Sequence, residues 1–157
     1  MKELVKSLKG KYPHITFAQG DTAQWSSTKQ QVTYIADGRT ENAWALLHEL
    51  GHALLGHESY ASDAELLQKE AAAWAKACSV ALDYKIRIAP DHIEACLDTY
   101  RDWLHKRSTC PDCSAQGLQQ SKAMYSCFNC PATWKVTEHR FCRPYRLKTT
   151  EKNKISG

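Results

Sequence analysis

No stretch of about 18 consecutive apolar residues, the length a membrane-spanning helix needs, occurs in the sequence. The N-terminal residues MKELVKSLKGKYPHITFAQG lack the continuous apolar segment of a secretory signal. Internal repeats, low-complexity tracts and an evident helix-turn-helix pattern are missing too. The cysteines number seven, which is odd, and four of them stand in two CxxC pairs. That pattern reads more naturally as metal ligands plus three free thiols than as a secreted disulfide framework. These absences predict a soluble cytoplasmic protein with no membrane partner.

What is present suffices for a folded domain. The 157 residues, 43% of them hydrophobic, match one ordinary domain or a small domain with an appendage. The net charge of +4 is unevenly spread: from Lys135 onward seven lysines and arginines face only Glu138 and Glu151. A basic end of this kind serves either nucleic-acid contact or plain solubility.

Residues 3–10 form a short candidate helix. HITFA and QQVTYIA read as strands, and the polar, turn-rich QGDTAQWSSTK between them predicts a hairpin or small sheet. Asp37-Gly38 marks a turn, after which Thr40 is positioned to cap a helix reaching about Gly56. A second helix is signalled by a Ser62/Glu65 capping box and by the apolar stripe Leu66, Ala73, Ala77 and Ala81, ending near Leu82. A third begins with Asp91 and Glu94, follows the face Ile93, Leu97, Tyr100 and Leu104, and ends near Lys106. The expected class is α+β, with a short N-terminal sheet, packed helices and a C-terminal metal-organised module. The boundaries expected are 1–107 for a catalytic domain, 108–147 for a zinc ribbon and 148–157 for a basic flexible tail.

Chemistry concentrates in HELGH, residues 48–52. His48 and His52 lie one helical turn apart, so both imidazoles can reach one zinc ion while Glu49 stands beside it as a general base. Such an ion activates water and polarises a carbonyl. A pair of buried, hydrogen-bonded histidines is the alternative, but it leaves Glu49 without a task.

A catalytic zinc needs a third protein ligand, and His57, Glu58, Asp63, Glu65 and Glu70 compete for the place. On a continued helix His57 lies about 140° round from His52, so it faces the site only if the helix ends or bends at Gly56. Glu58, Asp63 and Glu65 sit near helix ends, where exposure or capping explains them. Glu70 interrupts the apolar stripe of the second helix, and a carboxylate on a buried face should be paired or metal-bound. Glu70 is therefore the expected third ligand, with Ala71, Ala72 and Ala73 allowing the helices close approach.

The second constellation is Cys110-Pro111-Asp112-Cys113 followed by Cys127-Phe128-Asn129-Cys130. Two knuckles at this spacing can supply four thiolates to a closed, structural zinc site; redox use of either CxxC is the alternative. Tyr125, Phe128 and Trp134, near Lys122 and Lys135, serve either as the ribbon's small core or as a stacking surface for nucleic acid. His139 and Cys142 read as ordinary residues, and Cys78 and Cys96 as small core residues.

HELGHALLGH at 48–57 and Glu70-Ala71-Ala72-Ala73-Trp74-Ala75 resemble the two motifs of ImmA/IrrE-type minimal gluzincin metallopeptidases, with alanine and tryptophan replacing the usual asparagine and phenylalanine. The resemblance covers about residues 12–85. It implies a small zincin-like fold, His48, His52 and Glu70 as ligands, Glu49 as base, and a strand before the active helix, Gln30 to Ile35, pairing with an extended peptide substrate. It also implies cleavage of an intracellular, regulatory protein partner. Trp74 stands where many thermolysin-like gluzincins carry an aspartate. SprT-like proteases, which join an HExxH domain to a zinc ribbon and act on DNA-associated proteins, are a secondary resemblance; their third ligand is a histidine, for which His92 and His105 are the candidates here, although each is better explained as a helix-surface residue.

The expected function is thus a zinc endopeptidase of narrow specificity with one catalytic and one structural zinc. Tyr60 is the expected oxyanion donor, with His57 and Tyr34 as alternatives. The competing readings are a SprT-like protease with a DNA-associated partner and a non-catalytic adaptor that binds nucleic acid or protein.

Overall fold

A computed structural model describes residues 1–137 and 145–149. His139, Cys142 and the basic end from residue 150 lie outside the described residues. The elements run α1 (Lys2–Lys11), β1 (Thr16–Gln19), β2 (Gln24–Ser26), β3 (Gln31–Tyr34), α2 (Thr40–Leu54), α3 (Asp63–Asp83), α4 (Pro90–Ser108), β4 (Leu118–Ser121), β5 (Met124–Ser126), β6 (Thr133–Val136) and β7 (Arg146–Lys148). The class is α+β, with two small sheets. No helix among the described residues is long and apolar enough to cross a membrane. The chain divides into two compact units, one of Met1–Ser59 and Leu67–Ala95, the other of Tyr60–Leu66 and the described residues from Cys96 onward.

In the first unit the sheet order is β1-β3-β2. The two strands legible in the sequence do not form a hairpin with each other. They pair in parallel, Phe17 opposite Val32, and the turn-rich segment between them supplies β2, antiparallel to β3 with Trp25 also opposite Val32. Its half-exposed, polar residues hid it. Because β3 is hydrogen-bonded on both sides, the strand at Gln31–Tyr34 has no free edge for a peptide; the edges of this sheet are β1 and β2. That corrects the expectation that Gln30 to Ile35 pairs with substrate.

Helix α2 packs across β2 and β3. Val32, Leu46, Leu47 and Leu50 are fully buried, which anchors the motif helix to the sheet by burial of large aliphatic side chains. Thr40 is not the cap expected of it. The residue before the helix is Arg39, and Asp37 Oδ1 accepts the Arg39 amide N–H at 3.0 Å and the Asn42 side-chain N–H at 2.7 Å. These bonds hold the Asp37 carboxyl below its ordinary range, first through Asn42 and then through Arg39.

The stripe expected on α3 is buried, with Leu66, Ala73, Ala77 and Ala81 all in the core. α2 and α3 meet at Gly51, where a Cβ would run into the main-chain carbonyl of Ala73. Of the three alanines expected to permit this approach, only Ala73 is buried; Ala71 and Ala72 are exposed.

The second unit contains the antiparallel sheet β4-β5-β6-β7. The expected capping box forms in part: Ser62 Oγ accepts the Glu65 N–H at 3.2 Å, while Glu65 Oε2 accepts the N–H of Ala61, one residue before the cap, at 2.7 Å. Tyr125 and Trp134 are buried and stacked at 5.7 Å, while Phe128 is 71% exposed. Arg107, fully buried, lies 4.4 Å from the Trp103 ring and donates to the Lys122 carbonyl at 2.7 Å. Its counter-ion is Asp63, 3.8 Å away, which also accepts the Tyr125 hydroxyl. Burial and that bond push the Tyr125 hydroxyl well above the usual tyrosine range.

Gly51→Ala tests the helix crossing. Alanine gains about 1 kcal/mol of helix propensity over glycine, whereas overpacking costs roughly 1–3 kcal/mol. The variant should lower the urea midpoint despite its better propensity, and Gly51→Val should lower it further; a raised midpoint for Gly51→Ala would remove the close approach as a constraint.

Candidate metal centres

Two groups among the described residues could hold a metal ion: His48, His52 and Glu70, and the four cysteines 110, 113, 127 and 130. The first belongs to the first unit. His48 and His52 arise from consecutive turns of α2, and Glu70 reaches them from α3. His48 Nε2 stands 3.1 Å from His52 Nε2 and 3.2 Å from Glu70 Oε2, and His52 Nε2 is 3.6 Å from the same oxygen. A tetrahedral ion with bonds of roughly 2.0–2.1 Å to nitrogen and oxygen requires ligand separations of about 3.3 Å. The three donors therefore already have the spacing of a divalent-ion site.

The electrostatics agree with that role. Burial raises the Glu70 carboxyl, but hydrogen bonds to His48 and His52 outweigh it and bring it to about 2. Glu70 is thus an anion held among imidazoles, as a ligand must be. His48 Nδ1 has no hydrogen-bond partner. Instead its ring stacks on Trp74, with centroids 4.2 Å apart and an interplanar angle of 26°.

Glu49, the neighbour of His48 on α2, is half-buried. Its Oε2 accepts the main-chain N–H of Trp25 at 2.7 Å, and the Trp25 indole donates to the His57 carbonyl at 2.8 Å. Trp25 on edge strand β2 therefore ties both ends of the motif segment to the sheet. Sequence reasoning passed over it; the only signal was a lone large aromatic inside a polar, turn-rich stretch.

The other competitors for the third position are placed plainly. α2 ends at Leu54, and Gly56, at φ +63, adopts the left-handed conformation that favours glycine. The Gly56 N–H bonds to the Ala53 carbonyl and the His57 N–H to the His52 carbonyl, the paired bonds of a Schellman turn. The chain bends as the sequence required for His57 to face the site, and His57 Nδ1 lies 2.9 Å from His52 Nδ1, the nitrogen opposite the one that faces Glu70. Glu58 is exposed. Asp63 and Glu65 belong to the second unit, engaged by Tyr125 and by the capping box. His92 packs its ring 4.8 Å from Trp44 and 5.6 Å from Trp74, outside the triad and more enclosed than the surface position expected. His105 is exposed.

Tyr60 lies in the second unit, with the Lys122 ammonium 4.9 Å from its ring centroid. Tyr34 lines an open hollow of about 320 Å³ with Lys2, Val5, Lys6 and Lys9 of α1.

In the four-cysteine group Cys110 and Cys130 sulfurs are 3.7 Å apart and those of Cys113 and Cys127 are 3.6 Å apart. A tetrahedral ion with bonds of about 2.3 Å to sulfur separates its ligands by about 3.8 Å. The Asp112 N–H points at Cys110 Sγ and the Asn129 N–H at Cys127 Sγ, both at 3.4 Å, so each knuckle offers a main-chain amide to its first sulfur. Hydrogen bonds from the Asn129 side chain and the Ala115 amide bring the Cys113 thiol down to about 6. The Ala132 amide favours the Cys130 anion, but burial and the three neighbouring sulfurs carry that thiol up to about 12.

Comparison of the chain with family models, curated proteins and solved structures gives no match.

Glu70→Ala should abolish ion binding at the histidine pair while leaving the four-cysteine ion in place, lowering the metal content per chain by about one ion as measured by elemental analysis. Retention of both ions with unchanged affinity would remove Glu70 from the ligand set.

Proposed function

We propose that the protein is a zinc-dependent endopeptidase of narrow specificity that hydrolyses peptide bonds in an intracellular regulatory protein. The observation that carries this reading is the convergence of His48 Nε2, His52 Nε2 and Glu70 Oε2 at separations of 3.1, 3.2 and 3.6 Å, one residue along α2 from a carboxylate that is not part of the triad. A zinc ion held by these three residues supplies Lewis acidity, acidifying water and polarising the scissile carbonyl. Glu49 keeps Oε2 on the Trp25 amide, which leaves Oε1 to take the proton of the attacking water and deliver it to the departing amine nitrogen.

A carboxylate as third ligand supports the ImmA/IrrE-type resemblance over the SprT-like one, since neither His92 nor His105 joins the triad. The four-cysteine module, with each donor used, fits a structural zinc that contributes folding energy.

A second reading makes the ribbon a nucleic-acid-binding adaptor. One observation favours it: with Tyr125 and Trp134 used up in the core, Phe128, inside the second knuckle, stands 71% exposed. On this reading Phe128→Ala should weaken binding of a single-stranded oligonucleotide, followed by fluorescence anisotropy, and added salt should weaken it as well. Binding indifferent to both would count against it.

The peptidase reading is tested by comparing new protein N-termini generated in cells by the wild type and by Glu49→Gln. Loss of a general base costs about 10²–10⁴-fold in rate, so cleavage products of the wild type should vanish in the variant while about two ions per chain are retained. Undiminished cleavage by Glu49→Gln would sink the mechanism.

A further inference from the structure

We propose that His57 is a positioning residue for the metal centre: its imidazole holds the His52 ring from behind, so that His52 Nε2 is presented to His48 and Glu70. The inference deepens the metal-site reading above and rests on it.

Three features of the fold bring His57 to this place. The Schellman turn at Gly56 stops α2 and reverses the chain. The Trp25 indole, on edge strand β2, fixes the His57 carbonyl at 2.8 Å. The ring then meets His52 nitrogen to nitrogen, Nδ1 to Nδ1 at 2.9 Å, with centroids 5.0 Å apart.

Proton placement follows from the chemistry. A histidine that ligates through Nε2 must carry its proton on Nδ1, so His52 donates in this contact and His57 Nδ1 accepts. His57 must therefore be the neutral Nε2–H tautomer.

The two ligand histidines are then held by different means. His48 Nδ1 has no hydrogen-bond partner, and its ring plane is set by stacking on Trp74. His52 is oriented by a directional hydrogen bond, the usual way in which an outer partner fixes a ligand's tautomer and angle. The closing Gly-His of HELGHALLGH thereby acquires a task that its spacing alone did not assign.

The test uses the full chain and zinc affinity at the histidine site, measured by competition with a chromogenic chelator. His57→Phe keeps the ring and removes the acceptor; His57→Asn restores an acceptor near the position of Nδ1. Loss of an outer partner typically weakens metal binding about 10–100-fold, which is the expectation for His57→Phe, with most of the affinity returning in His57→Asn. Cobalt substitution gives a second readout: the ligand-field bands of the histidine site should shift in His57→Phe, while the sulfur charge-transfer band of the four-cysteine site stays constant and certifies folding. Wild-type affinity and spectrum in His57→Phe would overturn the proposal. So would an Asn variant no better than Phe, or a loss above about 10³-fold in both variants, which would make His57 a ligand. A wild type that binds cobalt only through sulfur would overturn the metal-site reading itself, an outcome separate from these.

Discussion

The first unit depends on how closely two helices can approach at Gly51. With no side chain there, α2 comes against the backbone of Ala73 on α3. Gly51 lies between His48 and His52, and Ala73 is three residues beyond Glu70, on the same side of its helix. The contact therefore fixes the separation between the imidazole pair and the carboxylate. A larger residue at either point would move the donors apart, and a site with separations near 3.3 Å tolerates little such movement. Packing and donor geometry are in this sense one constraint.

The buried polar groups of the two units are handled differently. Glu70 is buried among imidazoles, and its charge is stabilised by hydrogen bonds strong enough to overcome burial. Arg107 is buried against Trp103 and Tyr125, with a carbonyl and the more distant Asp63 as partners, and its Nε and Nη1 lack hydrogen bonds. Buried ion pairs contribute little net stability once desolvation is counted. Apolar burial in the second unit includes the cluster of Cys110, Tyr125, Trp134 and Val136 as well as Leu97, Trp103 and Leu104 of α4, and an ion held by the four sulfurs would add to it.

Much of this was legible from spacing. His48 and His52 fall on one face because four residues make about one helical turn, and Glu70 stood out because a charge interrupted an apolar stripe. The CxxC pairs announced themselves in the same way. What stayed hidden depended on tertiary context. β2 is polar and half-exposed, so its pattern resembles a loop, and the central place of β3 follows from that unseen strand. The bonds of Trp25 join residues 24 and 32 positions apart, a relation no local period encodes. His57 was correctly excluded from a continued helix; its return to the site needed the left-handed Gly56. Of the ribbon aromatics, composition could not say which two would stack inside and which one would face solvent.

The unequal acidity of the ribbon thiols has a consequence for how the two centres respond to acid. Filling a four-sulfur site is a proton-exchange reaction, because each thiol must become a thiolate to ligate. Cys113 gives up its proton readily, at about 6, but Cys130 retains its proton to about 12 until a cation replaces it. The carboxylate donor of the other centre, at about 2, is already ionised throughout the neutral range. Because each thiol exchanges its proton for the ion, acidification would oppose occupancy of the sulfur centre, and through it the fold of the second unit, by mass action on protons, with no sensor residue required.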